Sequence, residues 1–429
     1  MNIIIIGNSA AGTAAIESIR KYDRESTIIQ LSDESQPLYS RCLLSHYLAG
    51  TIEKQGLLYR EKDFHKNMKV ELHSGPGSRA VELNTKQRQV SCDNGNTYNY
   101  DRLLICTGAS AKLPPNIAKD IDGVFVLRSL ADVEAIKQNA KNARRAVIFG
   151  GGLIGIKAAA ALNEYGLKTT MVIRSNRVLS QMIDYPAAQI LEKKLLENNI
   201  EALHHTDISE IISKDNRLQG VKTDQGQVID CEILIAAKGV NPNTGLIQNT
   251  DITKKFGIRT NSYMQTNHEN IFAAGDVAEA FDIAIEGHTI NAMWSCAVQQ
   301  GRIAGYNMID QKIPYNGATA MNSLNVRGVP LISFGITSPK DESKYKILTQ
   351  KQPDRNIYKK IVIGNNNRVK GIILVGKIAN AGVLLSLIKR KMNVSRFGDE
   401  LLSDHFNFGK MLKYGGASEL ERYYNSKLL

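Results

Sequence analysis

Two short glycine-rich segments, at residues 7–12 and 150–155, constrain the fold of this chain more than any other feature. Each follows an apolar run typical of a buried strand and precedes a stretch with a helical pattern, and this context makes a weak motif specific. The glycines permit the tight turn, the close approach of a pyrophosphate and the packing of helix on strand. The helix directs free N–H groups and the positive end of its dipole at the phosphates. The sequence therefore predicts two dinucleotide-binding folds, and one flavin with one nicotinamide is the economical pairing.

These two motifs assign two sets of residues to cofactor contact. In the first motif Ser9 stands where a second glycine is usual, and its small side chain still fits beside a phosphate. The first set is Gly7, Ser9, Ala10, Ala11 and Gly12, and the second is Gly150, Gly152, Leu153, Ile154 and Gly155. The alternative is that both segments are ordinary strand–turn–helix units whose glycines serve only packing.

The order of predicted elements indicates an α/β chain. Strands alternate with helices over residues 1–110 and again over 146–236, which is typical of parallel sheets. The predicted strands include residues 3–6, 27–31, 90–92, 97–100, 102–106, 146–149, 233–236, 271–276, 361–363 and 371–375. The predicted helices include residues 10 to about 21, 297 to about 309, and 382 to about 391. Hairpin signals stand at residues 93–96 and 224–227. After Pro314 the pattern predicts an antiparallel sheet with helices.

Length and composition exclude several classes of protein. A chain of 429 residues exceeds what one hydrophobic core supports, and an apolar content of 43% is ordinary for a globular protein. The N-terminus begins directly with a strand pattern, so we expect no signal peptide, and no run approaches the roughly 20 apolar residues that cross a bilayer. The five cysteines are scattered. This spacing favours reduced thiols and a cytoplasmic location, and it argues against a local cysteine site for zinc or an iron–sulfur cluster.

The net charge of +12 lies entirely in the last part of the chain. From residue 312 to the end there are 20 Lys and Arg residues against 8 Asp and Glu residues, while residues 1–311 carry 34 of each. The basic residues include Lys340, Lys344, Lys346, Lys351, Lys359-Lys360 and Lys389-Arg390-Lys391. Such a segment either attracts an acidic partner or is a solvated surface without one. Nucleic acid is a poorer partner, because no helix-turn-helix, zinc-finger or aromatic RNA-binding pattern accompanies the charge.

Five motifs in a fixed order carry a resemblance to a known family. They are the two glycine-rich segments, Thr107-Gly108, the Gly-Val-Asn-Pro-Asn segment 239–243 and the Ile-Phe-Ala-Ala-Gly-Asp segment 271–276. Over nearly its full length the chain resembles the pyridine nucleotide–disulfide oxidoreductases. Within them it is most similar to the branch of rubredoxin reductases, nitrite reductase flavodomains and coenzyme A disulfide reductases.

This resemblance implies an α/β fold with two Rossmann-like dinucleotide-binding domains, one discontinuous and the other inserted in it, plus a C-terminal α+β interface domain. The FAD-binding domain would comprise residues 1–112 and 243–316, the NAD(P)-binding domain 113–242, and the interface domain 317–429. The implied protein is an FAD-dependent NAD(P)H oxidoreductase, and a homodimer remains open.

The resemblance also assigns residues to the FAD site. Asp276 would bind the ribityl or pyrophosphate region through its carboxylate oxygens, the alternative being a helix cap. Ala297 and Val298 would begin a helix whose dipole faces the flavin pyrimidine ring. The acid for the adenosine ribose would be Asp33 or Glu34, with Glu34 preferred, unless both are solvated loop acids. The remaining assignments are Arg41, Val81, Thr107 and Gly108 for FAD and Gly239 for the nicotinamide nucleotide.

The turn at residues 173–177, Ile-Arg-Ser-Asn-Arg, predicts the nicotinamide. A carboxylate here would bind the 2′-hydroxyl of NADH and repel a 2′-phosphate, whereas arginine attracts that phosphate. No acid is present, but Arg174 and Arg177 are, and the turn resembles that of NADPH-using glutathione reductase. We expect NADPH as the preferred donor and NADH as a second one, unless the arginines merely face solvent. Lys157 stands where the family often carries a glutamate that orients flavin and nicotinamide.

Cys42 is the candidate redox thiol. By resemblance residues 37–45 enter the helix under the isoalloxazine ring, where dithiol reductases of the wider family carry two cysteines and this chain has one. A cysteine at a helix N-terminus near Arg41 is expected to have a lowered pKa, and the alternative is a small packed thiol. His46 is expected to be a surface or packing residue. Cys106, in an apolar strand, is expected to be buried and inert.

Three functions remain open from the sequence. The first is electron transfer from NAD(P)H through FAD to a small acidic rubredoxin- or ferredoxin-like protein. The second is a thiol-based reductase that uses Cys42, with coenzyme A disulfide, persulfide, peroxide or oxygen as acceptor. The third is a flavoprotein redox sensor without meaningful turnover.

Overall fold

The structure is a computed structural model that describes residues 1–118, 120–407 and 409–410. The chain divides into two compact units. Among the described residues, the first comprises 1–178, 199–282 and 286–318, and the second comprises 179–198, 283–285, 319–407 and 409–410.

The elements are as follows in chain order. The strands are β1 Asn2–Ile6, β2 Thr27–Ser32, β3 Val70–Ser74, β4 Ala80–Asn84, β5 Gln89–Cys92, β6 Thr97–Asn99, β7 Arg102–Ile105, β8 Ala109–Ala111, β9 Val124–Val126, β10 Arg145–Phe149, β11 Lys168–Val172, β12 Ile200–Leu203, β13 Ile208–Lys214, β14 Arg217–Thr223, β15 Val228–Asp230, β16 Ile233–Ala236, β17 Val240–Pro242, β18 Ile258–Arg259, β19 Ile271–Ala273, β20 Ala278–Asp282, β21 Gly287–Thr289, β22 Met321–Val326, β23 Val329–Gly335, β24 Tyr345–Gln352, β25 Ile357–Gly364 and β26 Val369–Val375. The helices are α1 Ala10–Tyr22, α2 Leu44–Leu48, α3 Phe64–Asn67, α4 Leu130–Ala140, α5 Leu153–Glu164, α6 Tyr185–Glu197, α7 Trp294–Met308 and α8 Ala381–Lys389.

Besides four smaller sheets of two or three strands, the first unit contains two parallel five-stranded sheets. Their strand orders are β19-β7-β1-β2-β3 and β12-β11-β10-β16-β9, with each neighbouring pair parallel. In both, the strand before the glycine-rich turn is flanked by strands that lead away in opposite directions along the sheet. A crevice opens at the carboxyl ends of the strands at such a switch point. The predicted α/β fold with parallel sheets is therefore confirmed.

Helices α1 and α7 pack with almost no side chain between their backbones. A Cβ atom at Gly301 would lie 2.1 Å from the carbonyl oxygen of Ala11, and one at Gly305 would lie 2.5 Å from that of Ala15. Because the two glycines are four residues apart, they share one face of α7 and fit the alanine face of α1. This close packing joins the first glycine-rich turn to the segment that carries Asp276.

The second unit contains an antiparallel sheet with helices, as predicted. Its strand order is β22-β23-β26-β25-β24, with each pair antiparallel. Helix α8 buries Leu384, Leu387 and Ile388, and it lies beside β26, which is buried along most of its length. Helix α6 belongs to this unit although it follows β11 in the chain.

Some of the lysine side chains in the basic segment after residue 312 are buried and not exposed to solvent. The ammonium of Lys359 pairs with the Asp404 carboxylate and donates to the Leu402 carbonyl oxygen, and its side chain is 2% exposed. The ammonium of Lys360, 5% exposed, lies 3.2 Å from the carboxylate of Asp184. Both lysines therefore stabilise this unit, and for this pair neither alternative left open by the sequence, attraction of a partner or a solvated surface, is correct.

Predicted boundaries differ from observed ones by three residues at one helix and at one strand, since the strand predicted at 271–276 is β19, Ile271–Ala273. Helix α7 begins at Trp294, so Ala297 and Val298 lie one turn inside it and do not begin it. The helix begins three residues earlier than predicted, and no capping side chain marks its first residue in the sequence. The predicted strand at 361–363 lies in the second half of the longer β25. None of the helices in the described ranges has the length and apolar composition to span a bilayer.

Candidate dinucleotide sites

The first glycine-rich turn has the geometry of a phosphate cradle. Gly7 adopts φ +123°, and a Cβ atom there would lie 2.2 Å from the carbonyl oxygen of Cys106. A Cβ atom at Gly12 would lie 2.3 Å from the carbonyl oxygen of Gly7, so only glycine allows α1 to approach β1 this closely. Ser9 is the N-cap residue, and its side chain makes no capping hydrogen bond among the described residues. The first turn of α1, which continues with Ala10 and Ala11, keeps N–H groups for an anionic ligand and fits a pyrophosphate.

The second glycine-rich turn repeats this geometry with more open space. Gly150 adopts φ +136°, and a Cβ atom at Gly155 would lie 2.1 Å from the carbonyl oxygen of Gly150. A Cβ atom at Gly152, the N-cap of α5, would meet no heavy atom of the described residues within 4 Å. Leu153 follows, and Ile154 on the first turn is 44% exposed. An open backbone beside an exposed apolar side chain fits a dinucleotide lying across this helix end.

The two candidate acids after β2 differ in what surrounds them. The Glu34 carboxylate is engaged at both oxygens: Oε1 lies 2.8 Å from Arg41 Nη2, and Oε2 accepts the Tyr39 hydroxyl at 2.9 Å. Asp33 is exposed. Val81, on β4, is also exposed, at 49%. Glu34 therefore orients Arg41, and Asp33 is the more accessible carboxylate for a ribose hydroxyl.

Asp276 stands at a junction of several segments. It follows Gly275, whose φ is +82° and whose N–H donates to Gln300 Oε1 on α7 at 2.8 Å. One carboxylate oxygen lies 2.9 Å from Arg128 Nη2, and Arg128 Nε donates to the Ala109 carbonyl oxygen at 2.9 Å. Asp276 is not the N-cap of any described helix, so the helix-cap alternative is wrong.

Arg128 is the residue that sequence reasoning missed. Its carbonyl oxygen accepts Arg41 Nη1 at 3.0 Å, so Arg41 and Asp276 are both tied to it. It stands two residues after the end of the short strand β9 and directly before a capping box formed by Ser129 and Asp132. The available signal was a cation between the apolar run 124–127 and the capping pattern that begins at Ser129, neither of which was used in the sequence-based predictions.

The Thr107-Gly108 and 239–243 segments meet in the structure. Thr107 Oγ1 donates to the Asn243 carbonyl oxygen at 2.8 Å, and Asn243 Nδ2 returns a bond to the Thr107 carbonyl oxygen at 2.9 Å. Gly108 accepts the N–H of Asn243, also at 2.9 Å. Gly239 adopts φ +92°, just before β17, which pairs with β8. The two chain crossings between the parallel sheets are thus fastened to each other.

The N-terminus of α7 is anchored to α1 by an aromatic pair. The rings of Trp294 and Tyr59 meet edge to face with centroids 5.0 Å apart. The Tyr59 hydroxyl lies 3.0 Å from Thr13 Oγ1 on α1, and burial raises the pKa of Tyr59 to about 12. Ala297 is buried and Val298 half-buried. The positive end of the α7 dipole is therefore held beside the first turn of α1.

Cys42 does not have the expected thiolate character. It lies in a single 3-10 turn, Arg41–Leu43, rather than at the N-terminus of a long helix. The thiol is exposed, yet partial desolvation raises its pKa, against the opposing effects of Lys157 and Arg128. The predicted lowering of the pKa was wrong because desolvation of the thiol, to which the negative charge of Asp276 adds, outweighs the effects that favour the thiolate. Cys106 is buried as expected, and its pKa is raised to about 12.

The turn after β11 carries the two arginines. Arg174 is exposed. Arg177 is half-buried, and its Nη1 donates to Asn176 Oδ1 at 3.0 Å, while its carbonyl oxygen accepts the Ser175 hydroxyl at 2.7 Å. Because β11 is parallel to β10, this turn and Gly152 both lie at the carboxyl ends of their strands, on the same side of the sheet. Arg174 is thus the better placed of the two for a ligand.

The chain matches two known domain families. Residues 1–301 match the family described as pyridine nucleotide-disulphide oxidoreductase, and residues 321–392 match the rubredoxin NAD+ reductase C-terminal domain.

Its curated relatives are redox enzymes. An NADH oxidase of Methanocaldococcus jannaschii is 28% identical, with 88% of each chain covered. A nitrite reductase [NAD(P)H] of Bacillus subtilis is 27% identical over 92% of this chain but 48% of its own length. The chain thus spans about half the length of that relative.

Three solved structures share the fold. An NAD-dependent persulfide reductase from A. fulgidus has a TM-score of 0.87 and 25% identity over 92% of this chain and 78% of its own. An NADPH oxidase engineered from a Lactobacillus brevis NADH oxidase has a TM-score of 0.85 and 21% identity, with 92% of each chain covered. The NADH:rubredoxin oxidoreductase of Clostridium acetobutylicum has a TM-score of 0.77 and 24% identity over 94% of this chain and 98% of its own.

Proposed function

Because the chain belongs to the pyridine nucleotide–disulphide oxidoreductase family and is an FAD-dependent NAD(P)H oxidoreductase, we propose that it passes electrons to a small acidic iron–sulfur protein of the rubredoxin or ferredoxin kind. The observation that carries this proposal is the match of residues 321–392 to the C-terminal domain of rubredoxin reductases. The raised pKa of the exposed Cys42 thiol also supports the proposal, since a protonated thiol is a poor nucleophile for thiol-based reduction.

The two glycine-rich turns would hold the two pyrophosphates. The bound flavin supplies the chemistry, because it takes a hydride from the nicotinamide and can release electrons singly. On the protein side, Asp33 would accept the adenosine ribose hydroxyls, since Glu34 is engaged with Arg41. Asp276, oriented by Arg128, would accept hydroxyl hydrogen bonds from the ribityl chain. We further propose the domain bounds 1–112 with 243–316 for FAD and 113–242 for the nicotinamide nucleotide.

NADPH is the proposed preferred donor. The exposed guanidinium of Arg174 would pair with the 2′-phosphate, and no carboxylate of the 173–177 turn opposes it. The engineered NADPH oxidase supports this assignment. Its substitutions replace an aspartate with alanine and the next two residues with arginine and serine. This chain carries the same dipeptide, Arg174-Ser175, directly after Ile173.

The partner would be attracted by exposed lysines of the second unit. Lys346 and Lys351 lie on β24, the edge strand of the antiparallel sheet, and both are exposed. Attraction of this kind raises the association rate and weakens with salt. Exchange of both residues for glutamate should slow the reduction of an acidic iron–sulfur acceptor. The matched control is Lys54→Glu in the first unit, an exposed lysine paired with Glu134.

An anaerobic half-reaction tests the proposal. The FAD-loaded protein is reduced with one equivalent of NADPH and mixed with oxidised rubredoxin, coenzyme A disulfide, a persulfide, peroxide or oxygen. The proposal predicts that rubredoxin reoxidises the flavin fastest and that Cys42→Ser leaves this rate within about twofold. Rubredoxin reduction slower than every small-molecule acceptor would refute it.

A thiol-based reductase is the second candidate. It is favoured by the exposure of Cys42 and by the positive charges of Lys157 and Arg128, which act on that thiol. Such charges would attract an anionic persulfide and stabilise a thiolate as it forms. In this case Cys42→Ser would abolish persulfide or disulfide reduction while NADPH still reduced the flavin.

A further inference from the structure

The segments that follow β11 and β12 remain hydrogen-bonded to each other beyond the ends of the strands. The N–H of Thr206 donates to the Ile173 carbonyl oxygen at 3.1 Å, and the N–H of His205 donates to the Ser175 carbonyl oxygen at 3.3 Å. The backbone of His205 therefore lies against the turn that carries Arg174. The segments after β11 and β12 therefore form one continuous surface at the carboxyl ends of these two neighbouring strands.

His205 is held there in an unfavourable backbone conformation. Its φ is +50°, in the left-handed region that residues other than glycine rarely adopt. Two side chains secure this geometry: Gln225 Nε2 donates to the His205 carbonyl oxygen at 3.0 Å, and Thr206 Oγ1 donates to the His204 carbonyl oxygen at 2.7 Å. His205 is exposed, so it does not serve the packing of a core. Residues held in sparsely populated backbone conformations cluster at active sites, ligand clamps and switch regions.

The acids nearest to His205 along the chain and in the adjoining hairpin are engaged with other groups. The Asp207 carboxylate lies 3.0 Å from the Lys238 ammonium, and the Asp224 carboxylate accepts the N–H of Asp207 at 3.0 Å. Arg174 adds a positive charge on the adjoining turn. Arg174 and the His205 imidazole are therefore the groups on this surface that could donate to an anion.

We propose that His205 is a specificity residue of the nicotinamide site, whose imidazole N–H donates to the 2′-phosphate of NADPH beside Arg174. This inference rests on the proposed preference for NADPH. A phosphate monoester offers three oxygens, and a single guanidinium uses at most two of them, which leaves one for a donor from the segment after β12. NADH presents only a hydroxyl there, so His205 discriminates between the two nucleotides.

Binding of two fragments to the FAD-loaded protein tests the proposal without turnover. The probes are 2′,5′-ADP, which carries the 2′-phosphate, and 5′-AMP, which lacks it, both measured by calorimetry. His205→Asn removes the imidazole, and asparagine tolerates the left-handed backbone, so the fold is preserved. We expect it to weaken 2′,5′-ADP binding about three- to tenfold and to leave 5′-AMP binding unchanged. The control His268→Asn changes a histidine that pairs with Asp251 in the loop before β19, and it should alter neither.

The variant Arg174→Ala distinguishes a failure of the His205 assignment from a failure of the proposed NADPH preference. If Arg174→Ala weakens 2′,5′-ADP binding and His205→Asn leaves it within twofold, the inference about His205 is wrong and the NADPH preference stands. If the unaltered protein binds 2′,5′-ADP no more tightly than 5′-AMP, the proposed NADPH preference itself fails.

Discussion

Asp184→Ala should destabilise the second unit strongly. The Asp184 carboxylate is 16% exposed, accepts the Tyr358 hydroxyl at 2.6 Å and lies 3.2 Å from the Lys360 ammonium, whose side chain is 5% exposed. It also caps α6 by accepting the N–H of Ala187 at 3.4 Å. Removal of one member of a buried ion pair costs about 3–5 kcal/mol because the other charge stays buried, and loss of a cap costs about 1 kcal/mol. Since these losses overlap, we expect the free energy of unfolding to fall by about 4 kcal/mol.

The assay is equilibrium urea unfolding followed by circular dichroism, combined with a double-mutant cycle. Lys360→Met removes the buried charge, so Asp184→Ala added to Lys360→Met should cost much less than Asp184→Ala alone. Asp184→Asn keeps the cap and an acceptor for Tyr358, so it should cost less than the alanine variant. A coupling free energy below about 0.5 kcal/mol between Asp184 and Lys360 would refute this reasoning.

Three further predictions concern the cofactor sites. Gly152→Val should fold normally and keep FAD, because a Cβ atom there meets no described heavy atom within 4 Å, but its side chain should block the pyrophosphate and raise the Kd for NADPH about tenfold or more; an unchanged Kd by calorimetry would contradict the site. Trp294 is the single tryptophan, and its emission should be quenched when FAD is added to flavin-free protein, as titration by fluorescence would show; constant emission at full flavin occupancy would count against its position. The pKa of the Cys42 thiol is raised, so iodoacetamide should alkylate it more slowly at pH 7 than an ordinary exposed thiol, with a rate that still rises above pH 9; a plateau below pH 7 would show a thiolate instead.

Features set by local sequence were predictable. The glycines at positions 7, 12, 150 and 155 lie in turns where a Cβ atom would collide with a backbone oxygen. Their spacing in the sequence therefore predicts the two strand–turn–helix units. Hairpins at 93–96 and 224–227 follow from turn residues between short strand patterns, and the structure has β5–β6 and β14–β15 there. Neighbouring residues decide these structures, and a single sequence contains them.

Features set by distant contacts were not predictable. Arg128 and Asp276 are 148 residues apart, and only the fold brings their charges within 2.9 Å. The burial of Lys359 and Lys360 depends on acids contributed by other segments, so the sequence reads as an exposed basic pair. The raised pKa of Cys42 also depends on the fold, because desolvation of the thiol, together with the charge of Asp276, outweighs the nearby positive charges.

Anaerobic titration of the FAD-loaded protein with NADPH tests most directly the claim that both nucleotides meet within this one chain. The account predicts full bleaching of the flavin absorbance at about one equivalent of NADPH, with NADH requiring a higher concentration. A folded protein that takes up no FAD, or whose flavin stays oxidised with both nucleotides in excess, would contradict it.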